Sequence, residues 1–437
     1  MRIVIKNSLK NLNIEALTPM QTQAMDAIYK NRNTFIIAPT GSGKTLAYLL
    51  PVTKIAASQN GKVQALIIVP SRELAQQILD VHKSMGTGVR MMCCYGGHPI
   101  DVEKEEFLLE SSILVGTPGR IASHMEHERF DYTHISILVL DEFDKSLEFG
   151  FVDDMTAIVD KLKKLKKRIC ISATKLEKVP DFVKMTDPCS VEFTDELVQP
   201  RITMKIVESP VPDKLDTLLH LIKYIGNQPT LIFCNHRDAV ERVTDFLYKK
   251  KCQVKMYHGG MEQEMREEAL MKFRNGSFHL LVTTDLASRG IDIPEIQYII
   301  HYHLPSTESS FIHRNGRTAR MHATGTAFII LSANEQLAPY ISDKPVVEKI
   351  STDLPLPDKT EWVTLELNVG KRDKISKGDI VGYLSQKGRL NKDDLGLVEV
   401  TYRDSFAAVR RSKVKHVLSL VANEPLKRKL VRINVDG

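Results

Sequence analysis

The chain has 437 residues, a length that corresponds to about three domains that each form their own core. It is 43% hydrophobic and 26% charged, as is typical of soluble globular proteins. No apolar run approaches the roughly 18 residues of a membrane span, and the N-terminal residues show no signal peptide. The six cysteines lack zinc-type spacing, and most lie in apolar stretches. We therefore expect a cytoplasmic protein with buried, reduced thiols and no membrane contact.

The net charge of +6 is unevenly distributed along the chain. Residues 371–437 contain 16 Lys and Arg against 8 Asp and Glu, so the rest of the chain is close to neutral. A basic segment joined to a near-neutral body is typical of a protein that binds a polyanion such as nucleic acid. The alternative is a basic domain that is merely well solvated, since charge asymmetry alone does not identify a partner.

The first predicted helix follows the turn Leu17-Thr18-Pro19-Met20-Gln21. Thr18 fits the N-cap position with Pro19 at the first helical position, and Gln21 comes three residues after the cap, as in a capping box. Gln21 is therefore either a helix cap or an amide that reads the edge of adenine, because its side chain carries a donor and an acceptor together.

Residues 38–45, Ala-Pro-Thr-Gly-Ser-Gly-Lys-Thr, lie between an apolar strand predicted at 35–38 and a helix predicted to begin near Leu46. A glycine-rich turn in this position binds phosphate through its backbone N–H groups and the helix dipole. Lys44 is expected to reach the β- and γ-phosphates, and the Thr45 hydroxyl to ligate Mg²⁺. The predicted nucleotide-binding residues of this loop are Thr40, Gly41, Ser42, Gly43, Lys44 and Thr45. The alternative is an ordinary strand-to-helix loop that contains a lysine.

Four further apolar strands in this half of the chain are each followed by polar residues. They are predicted at 65–69, 113–115, 135–140 and 168–171. Continuous apolar strands that alternate with helical stretches indicate a parallel sheet covered on both faces. Such sheets bind ligands at the carboxyl ends of their strands, which is where these polar residues lie.

Asp141 and Glu142 directly follow the strand at 135–140. One carboxylate can hold Mg²⁺ while the other orients and deprotonates an attacking water. A helix N-terminus also favours acidic residues in its first turn, so the pair alone is weak evidence of a site. Together with the phosphate loop, the pair strongly favours nucleotide hydrolysis.

The strand pattern repeats after residue 205, with strands predicted at 229–235, 254–260, 280–285 and 296–300. No second phosphate loop occurs in this half of the sequence. It carries Arg317 and Arg320, which share one face if their segment is helical. Two guanidinium groups can stabilise charge on a transferring phosphate, although a lone pair of arginines is more often a solvated basic face.

Residues 12–331 resemble the two-domain core of the DEAD-box RNA helicases, a family of superfamily-2 ATPases. The residues that carry the resemblance follow the family's motifs in order, at 17–21, 38–45, 70–74, 96–97, 117–120, 141–144, 172–174, 233–235, 263–266, 284–292 and 313–320. The resemblance implies an α/β fold of two tandem RecA-like domains with doubly wound parallel sheets. It also implies that ATP binds the first domain and that RNA lies across both.

The resemblance further implies roles for individual residues. The implied catalytic residues are Lys44, Asp141, Glu142, Ser172, Thr174, His313, Arg317 and Arg320. Gln21 and Asp292 are implied nucleotide contacts, and Thr45 and Asp141 are the implied Mg²⁺ ligands. The implied RNA contacts, mainly to the sugar-phosphate backbone, are Arg72, Gly97, Thr117, Arg120, Arg266, Thr284 and Gly290.

Two departures from the family pattern bear on the site. Phe143 stands where the family has alanine, between carboxylates that are retained, so we expect an effect on packing rather than on chemistry. No aromatic residue lies about 17 positions before Gln21, where the family usually has one that stacks on adenine. Adenine binding is therefore expected to be weaker than is usual for the family.

Residues 332–360 are predicted to be a linker. From Thr364 the pattern has the order β-α-β-β-α-β, which fits a small, four-stranded α+β domain similar to an RNA-recognition domain. This segment resembles the C-terminal domain of the DbpA-type bacterial helicases, which recognises structured ribosomal RNA. Phe406 lacks the aromatic partner usual in such sheets and is a possible core residue. The candidate phosphate contacts are Arg410, Lys413 and Lys427.

The predicted domains are an ATP-binding domain at 1–200, a second RecA-like domain at 205–350 and an RNA-binding domain at 361–437. We expect a monomeric RNA helicase that uses ATP and Mg²⁺ in ribosomal RNA maturation and large-subunit assembly. One alternative is a non-catalytic RNA clamp in which Phe143 or weak adenine binding abolishes turnover. The other is a superfamily-2 DNA translocase, which the motif at 172–174 and the RNA-type C-terminal segment disfavour.

Overall fold

The computed structural model describes residues 2–39, 41–56, 62–96, 103, 107, 109–176, 178–193, 201–288, 296–318, 324–341, 345–422 and 424–436. These residues form two compact units, the first at 2–193 and the second at 201–436. The six cysteines are all among them, and none is in a disulfide. Within the same residues, no helix is long and apolar enough to cross a membrane.

The first unit contains a parallel sheet whose described strands follow the order β3-β4-β2-β5-β6-β1-β7. The strands are β1 (Asn33–Ile37), β2 (Ala65–Ile68), β3 (Met91–Cys94), β4 (Ile113–Gly116), β5 (Ile137–Leu140), β6 (Lys167–Ser172) and β7 (Cys189–Glu192). The predicted strands of this half are confirmed to within a few residues. The pattern did not predict the outer strands β3 and β7.

Helices cover both faces of this first sheet. They are α1 (Arg2–Asn11), α2 (Pro19–Lys30), α3 (Lys44–Ala56), α4 (Arg72–Met85), α5 (Pro118–Glu126), α6 (Phe143–Glu148) and α7 (Val152–Lys161). Alternate strand residues point to opposite faces, so Ile36 and Ile67 pack with α2, α3 and α4. Phe35 and Leu66, on the other face, pack with α5 and α7. The sheet is therefore covered on both faces, as its continuous apolar strands indicated.

The second unit repeats this architecture with a parallel sheet in the order β10-β11-β9-β12-β13-β8-β14 among its described strands. The strands are β8 (Arg201–Ser209), β9 (Thr230–Phe233), β10 (Val254–Tyr257), β11 (Leu280–Thr283), β12 (Tyr298–His301), β13 (Thr324–Ser332) and β14 (Val346–Val347). Its helices are α8 (Leu215–Ile225), α9 (Arg237–Lys249), α10 (Gln263–Arg274) and α11 (Glu308–Asn315). Because β14 pairs with β8, the predicted linker at 332–360 contributes an edge strand.

Residues 360–436 of the second unit, which we call the C-terminal module, form an antiparallel sheet in the order β16-β17-β15-β20. The strands are β15 (Trp362–Leu367), β16 (Leu395–Val400), β17 (Ser405–Arg410) and β20 (Ile433–Asp436), with a small hairpin of β18 (Pro425–Leu426) and β19 (Lys429–Leu430). Helices α12 (Lys377–Gly382) and α13 (Val414–Val421) pack on one face. The predicted β-α-β-β-α-β order and the fold class as a whole are confirmed.

Candidate nucleotide site and RNA-contacting residues

The topology of the first sheet brings three predicted motifs together. Strands β5, β6 and β1 are neighbours in the sheet and run parallel, so the loops at their carboxyl ends lie side by side. Ala38 directly follows β1, Asp141 directly follows β5, and Ser172 is the last residue of β6. Open α/β sheets bind ligands at the carboxyl ends of their strands, at the point where the strand order reverses.

The phosphate loop adopts a conformation that depends on its glycines. Gly41 and Gly43 have φ values of 86° and 83°, a region that residues with a Cβ rarely adopt. A Cβ on Gly43 would also lie 2.4 Å from Nε2 of Gln21. Lys44, the first residue of α3, donates from Nζ to the carbonyl oxygens of Ala38 at 2.5 Å and Pro39 at 3.1 Å. The loop thus keeps its lysine within the turn, beside the helix N-terminus that attracts phosphate.

Gln21 forms the predicted capping box at the start of α2. Its backbone N–H donates to the Thr18 hydroxyl at 3.2 Å, and its Oε1 accepts from the Thr18 N–H at 2.9 Å. The other end of the same amide, Nε2, donates to the Gly43 carbonyl at 3.3 Å. The side chain therefore ties the helix cap to the phosphate loop, and its use in adenine recognition stays a prediction.

Asp141 is buried against the phosphate-loop helix. Its Oδ2 accepts a hydrogen bond from the Tyr48 hydroxyl at 2.8 Å, and its Oδ1 accepts from the Glu142 N–H at 2.9 Å. Burial raises the pKa of Asp141, although the Tyr48 hydrogen bond and the charge of Lys44 oppose this shift. Sequence reasoning missed Tyr48, whose signal was a hydroxyl one helical turn after Lys44 in an otherwise apolar run.

Glu142 occupies an unusual backbone position next to Asp141. Its φ and ψ angles of 46° and 48° are left-handed, a conformation that residues other than glycine seldom adopt. Glu142 is the N-cap of α6, so this single residue turns the chain from β5 into the following helix. Backbone strain of this kind is concentrated at functional sites, where the surrounding structure fixes a side chain in one direction.

A hydrogen-bonded link joins the loop after β5 to the loop after β6. The Thr174 hydroxyl donates to Asp144 Oδ2 at 2.9 Å. The Ser172 hydroxyl in turn donates to the Thr174 carbonyl at 2.5 Å and accepts from the Thr174 N–H at 3.1 Å. The Thr174 hydroxyl thus links the two motifs, and sequence reasoning had not identified Asp144 as its partner.

Two predicted RNA contacts of the first unit follow the neighbouring strands β2 and β4. Arg72 begins α4, and a Cβ on Gly96 would lie 3.5 Å from its guanidinium. Thr117 is the N-cap of α5 and is partly exposed. Since β2 and β4 pair in the sheet, these residues lie along one edge of the unit.

Arg120 is held in a buried ionic network rather than on an open surface. Its Nε donates to Glu103 Oε2 at 2.7 Å, and its side chain is 13% exposed. The same oxygen lies 2.6 Å from His124 Nε2, while Arg129 contacts His124 Nδ1 at 3.4 Å. His124 therefore lies between the Glu103 carboxylate at Nε2 and the Arg129 guanidinium at Nδ1. The prediction of an RNA contact had not anticipated these partners.

In the second unit, Arg314 connects three of the predicted motifs. Its guanidinium donates to Asp285 Oδ1 at 2.6 Å, the His303 carbonyl at 2.7 Å and Asn235 Oδ1 at 2.8 Å. The side chain is fully buried and lies over the Phe233 ring. Sequence reasoning passed over Arg314, although it stands next to His313 within the matched segment 313–320.

The other predicted residues of this unit that the structure describes lie on α10, after β11, and on or just after α11. His313 and Arg317 are buried on α11 and directly after it. Arg266 is buried on α10, where its guanidinium donates to the Gln263 side chain. Thr284 follows β11 and its hydroxyl accepts from the Leu286 N–H at 3.4 Å. The structure thus gathers Thr284 and the α11 residues at the carboxyl edge of the second sheet.

Comparison with known protein families covers most of the chain. The DEAD/DEAH box helicase family matches residues 18–182, and the helicase conserved C-terminal domain matches residues 213–322. The DbpA RNA binding domain matches residues 364–435. The ATP-dependent RNA helicase eIF4A of Mycosarcoma maydis is 33% identical over 74% of this chain and 80% of its own. The chain belongs to the DEAD-box family of ATP-dependent RNA helicases.

Two relatives match this helicase over nearly their whole length. The ATP-dependent RNA helicases DbpA of Bacillus subtilis and Escherichia coli are each 28% identical over 98% of this chain, and over 97% and 96% of their own. Among solved structures, S. cerevisiae Dbp5 bound to RNA and ADP BeF3 has a TM-score of 0.68 at 25% identity, covering 76% of this chain and 87% of that one. Mss116p bound to ssRNA and AMP-PNP has a TM-score of 0.71 at 25% identity, covering 80% and 77%.

Phe143, the departure within the helicase's Asp-Glu-Phe-Asp motif, is accommodated in the core. The ring is fully buried, packs with Met155 and Ile158 of α7, and contacts Phe182 edge-to-face with ring centroids 6.2 Å apart. The carboxylates of Asp141 and Asp144 keep their hydrogen bonds at either side. The expectation that Phe143 alters packing rather than the carboxylates agrees with this arrangement.

The basic residues predicted in the C-terminal module make local contacts. Arg410 donates to Glu361 and to the Asp393 carbonyl, and its guanidinium lies 5.2 Å from the Trp362 ring centre. Lys413 lies 3.9 Å from an Asp394 carboxylate oxygen. Lys427 donates to the Lys374 carbonyl at 3.0 Å and to Asp379 Oδ2 at 2.6 Å. All three side chains are partly exposed, so each can exchange such a partner for a phosphate.

Five predicted site residues lie outside the described residues. They are Thr40, Gly97, Gly290, Asp292 and Arg320. Their roles stay predictions from the family resemblance.

Proposed function

We propose that this helicase remodels structured ribosomal RNA during large-subunit assembly, with the C-terminal module as its anchor on that RNA. The observation that carries the proposal is the match of residues 364–435 to the DbpA RNA binding domain. The match coincides with the segment that holds the whole basic excess of the chain. Full-length similarity to two DbpA helicases supports the same target class.

The domain limits proposed for this activity are 1–200 for ATP binding, 205–350 for the second RecA-like domain and 361–437 for RNA binding. We also propose that the protein acts as a monomer in the cytoplasm. The six free thiols support this localisation, because free cysteines are typical of proteins in a reducing compartment.

In the proposed mechanism, the loop at 40–45 binds the ATP phosphates through its backbone N–H groups. Lys44 exchanges its carbonyl partners for the β- and γ-phosphates, a replacement of weak acceptors by charged ones. Gln21, which already contacts Gly43, would orient the adenine side, and Asp292 the ribose side.

The Thr45 hydroxyl and the Asp141 carboxylate suit Mg²⁺, which prefers hard oxygen ligands. Asp141 is 3% exposed and interacts with the positive charge of Lys44. Its carboxylate therefore lies in a low-dielectric environment beside the phosphate loop. When bound, Mg²⁺ supplies positive charge that neutralises the phosphate oxygens.

Glu142 is the proposed general base for the attacking water, and its left-handed backbone supports a fixed direction for the side chain. Arg317 and Arg320 are proposed to stabilise charge on the transferring phosphate, with His313 as a link between the domains. Ser172 and Thr174 are proposed to couple the nucleotide to RNA. The hydrogen bond from Thr174 to Asp144, and that from Ser172 to Thr174, support this role.

The proposed RNA contacts are Arg72, Gly97, Thr117, Arg120, Arg266, Thr284 and Gly290 in the core, and Arg410, Lys413 and Lys427 in the module. Contacts of this kind address the sugar-phosphate backbone and so are largely independent of sequence. If ATP and RNA favour the same closed state, each must increase the affinity for the other by the same factor.

Steady-state ATP hydrolysis tests the proposal. The rate should be low without nucleic acid, rise with total bacterial ribosomal RNA, rise less with poly(A), and stay low with DNA. Glu142→Gln should lower kcat by about 10²–10⁴-fold, the usual contribution of general base catalysis.

Equal stimulation by ribosomal RNA and poly(A) would leave the helicase activity intact but contradict the ribosomal target. Stimulation by DNA at the level of RNA would contradict both the target and the RNA-type anchor. If the unmodified protein hydrolyses ATP no faster than Glu142→Gln, the proposed roles of the site residues are contradicted.

A further inference from the structure

A run of basic residues lies at the amino-end edge of the first sheet. Residues 161–168, Lys-Leu-Lys-Lys-Leu-Lys-Lys-Arg, contain six Lys and Arg and no acidic residue. The run covers the last residue of α7, the turn that follows and the start of β6. Leu162 and Leu165 are buried in the core on the α7 face of the sheet. Two apolar side chains therefore anchor the turn that carries these charges.

Three of the six basic residues have structural partners. Lys161 Nζ donates to the Met125 carbonyl at 3.2 Å. Lys167 Nζ donates to three carbonyl oxygens around the carboxyl end of α2, at 2.6, 3.2 and 2.8 Å. Arg168 Nε donates to the Val183 carbonyl at 3.0 Å. These three side chains stabilise the fold, and their presence requires no ligand.

The other three basic residues, Lys163, Lys164 and Lys166, face solvent. Their side chains are exposed and make no ion pair or hydrogen bond among the residues that the structure describes. The acidic residue that precedes the run, Asp160, is already paired with Lys184 at 2.6 Å. The fold therefore does not neutralise these three ammonium groups.

Arg32 adds a fourth cation on the neighbouring strand. Strands β6 and β1 are parallel neighbours about 4.8 Å apart, and the Arg168 N–H donates to the Arg32 carbonyl at 2.8 Å. The Arg32 side chain is exposed and has no ionic or hydrogen-bonded partner within the described part of the chain. Burial lowers the pKa of Arg168, and the nearby charge of Arg32 lowers it further. Like charges are thus close together at this corner of the sheet.

This corner lies at the opposite edge of the sheet from the candidate nucleotide site. Asp141 and Ser172 stand at the carboxyl ends of β5 and β6, and the predicted RNA contacts Arg72 and Thr117 follow the carboxyl ends of β2 and β4. Strand β6 has six residues, so its two ends are about 17 Å apart. RNA at the basic corner would therefore be a different segment from RNA at the carboxyl edge.

We propose that the basic patch (Arg32, Lys163, Lys164 and Lys166) is a second RNA-binding surface of this helicase, which contacts the sugar-phosphate backbone of RNA beyond the segment held by the helicase core. The chain belongs to a family of RNA helicases, so RNA is the polyanion that it meets in its reaction. Exposed cations without internal partners bind phosphates by displacing condensed counterions, and such contacts carry no sequence information. The inference depends neither on the ribosomal target nor on the C-terminal module.

The salt dependence of RNA binding tests the patch in the full-length protein. Fluorescence anisotropy gives the Kd for random-sequence, single-stranded RNA of 40 and of eight nucleotides at several KCl concentrations. A stacked strand of eight nucleotides is about 27 Å long, too short to occupy the carboxyl edge and also pass round the unit to its opposite edge.

Lys163→Gln with Lys164→Gln should weaken binding of the longer RNA only. Each lost phosphate contact lowers the slope of log K against log[salt] by about 0.7 for a single strand, so two lost contacts lower it by about 1.4. Between 50 and 200 mM KCl, the unmodified protein should therefore lose about sevenfold more affinity than the variant. The eight-nucleotide RNA and kcat at saturating RNA should be unaffected.

The matched control is Lys6→Gln with Lys10→Gln. These lysines are exposed on α1, which packs on one face of the sheet through Ile5 and Leu9 rather than at the basic corner. The control removes the same charge from the same unit, so its Kd values and salt slope should equal those of the unmodified protein.

Photo-cross-linking tests the contact directly. With p-benzoylphenylalanine in place of Lys164, irradiation should join the protein to the 40-nucleotide RNA and not to the eight-nucleotide RNA. The same group in place of Lys10 should give no adduct with either.

The outcomes are distinct. An unchanged slope for the longer RNA, an equal loss of affinity for both lengths, or an equal effect of the control variant would overturn the proposal. Absence of the adduct at position 164 would also overturn it and would favour an acidic protein segment as the partner of the patch. Stimulation by ribosomal RNA relative to poly(A) tests the ribosomal target separately, because the patch reads no sequence.

Discussion

Among individual residues, Tyr48 directly affects the pKa of Asp141. Its hydroxyl donates to the carboxylate, and this bond lowers the Asp141 pKa against the larger effect of burial, which raises it. The charged form of Asp141 is the one that suits Mg²⁺, so activity should fall on the acid side as the carboxyl group is protonated.

Tyr48→Phe should therefore move the acid limb of the ATPase pH profile to higher pH. The variant removes a hydrogen bond to the charged form, which raises the Asp141 pKa further, while the buried ring and its packing are kept. The measurement is kcat for RNA-stimulated ATP hydrolysis as a function of pH. Tyr29→Phe is the matched control because the Tyr29 hydroxyl has no hydrogen-bond partner among the residues that the structure describes, and its profile should not move. An unchanged limb in Tyr48→Phe would contradict this role.

Phe143 should contribute to stability far more than to chemistry. Phe143→Ala should destabilise the first RecA-like domain by about 3–5 kcal/mol, because it leaves a cavity beside Phe182, Met155 and Ile158. Urea unfolding with a probe in the first unit measures this loss. Phe149→Ala, at a partly exposed ring, should change stability by less than about 1.5 kcal/mol. A loss below 1 kcal/mol in Phe143→Ala would contradict the packing described here.

At the scale of elements, the parallel sheets determine where chemistry is available. Strands β5, β6 and β1 are adjacent, and this adjacency alone brings the phosphate loop, Asp141 and Ser172 together. In the second unit, Arg314 of α11 holds the carboxyl-end loops of β9, β11 and β12 through Asn235, Asp285 and His303. One guanidinium thus fixes three loops relative to one another.

Arg314→Lys should destabilise the second RecA-like domain by about 3–5 kcal/mol, since one ammonium cannot replace the planar fork and Asp285 loses its buried partner. The loss is measured by urea unfolding of the full-length protein followed in the second unit. Arg242→Lys is the control, because its ion pair with Asp213 is exposed and should contribute less than about 1 kcal/mol. Equal effects of the two substitutions would contradict the role of Arg314.

The sequence pattern predicts the central strands and the cap of α2 because those features are local. Ile137–Leu140 and Thr230–Phe233 are continuous apolar runs, and the capping box of Thr18 and Gln21 spans four residues. The partners of Asp141 and of Arg314 are not predictable in this way, since they come from distant parts of the chain. The strand at Met91–Cys94 escaped prediction because two cysteines and two methionines form no distinctive strand pattern.

At the scale of the whole molecule, the chain consists of an ATP-binding unit and a second unit that carries its RNA-binding module. Lys272 illustrates why the packing of the C-terminal module on the second RecA-like domain was not predicted, since a lysine within the charged helix α10 is indistinguishable in sequence from a solvated one. Its burial depends on Asp436, 164 residues later in the chain. The anchor and the second RecA-like domain should therefore move together.

ATP hydrolysis by this site should drive the separation of RNA strands, which a strand-displacement assay measures. A fluorescent RNA duplex of about ten base pairs, joined to a single-stranded extension, is mixed with the full-length protein with and without ATP. We expect separation with ATP, little with a non-hydrolysable analogue, and a rate about 10²–10⁴-fold lower for Glu142→Gln. Separation at the same rate in Glu142→Gln, or none in the unmodified protein with ATP, would show that ATP hydrolysis by this site does not drive strand separation.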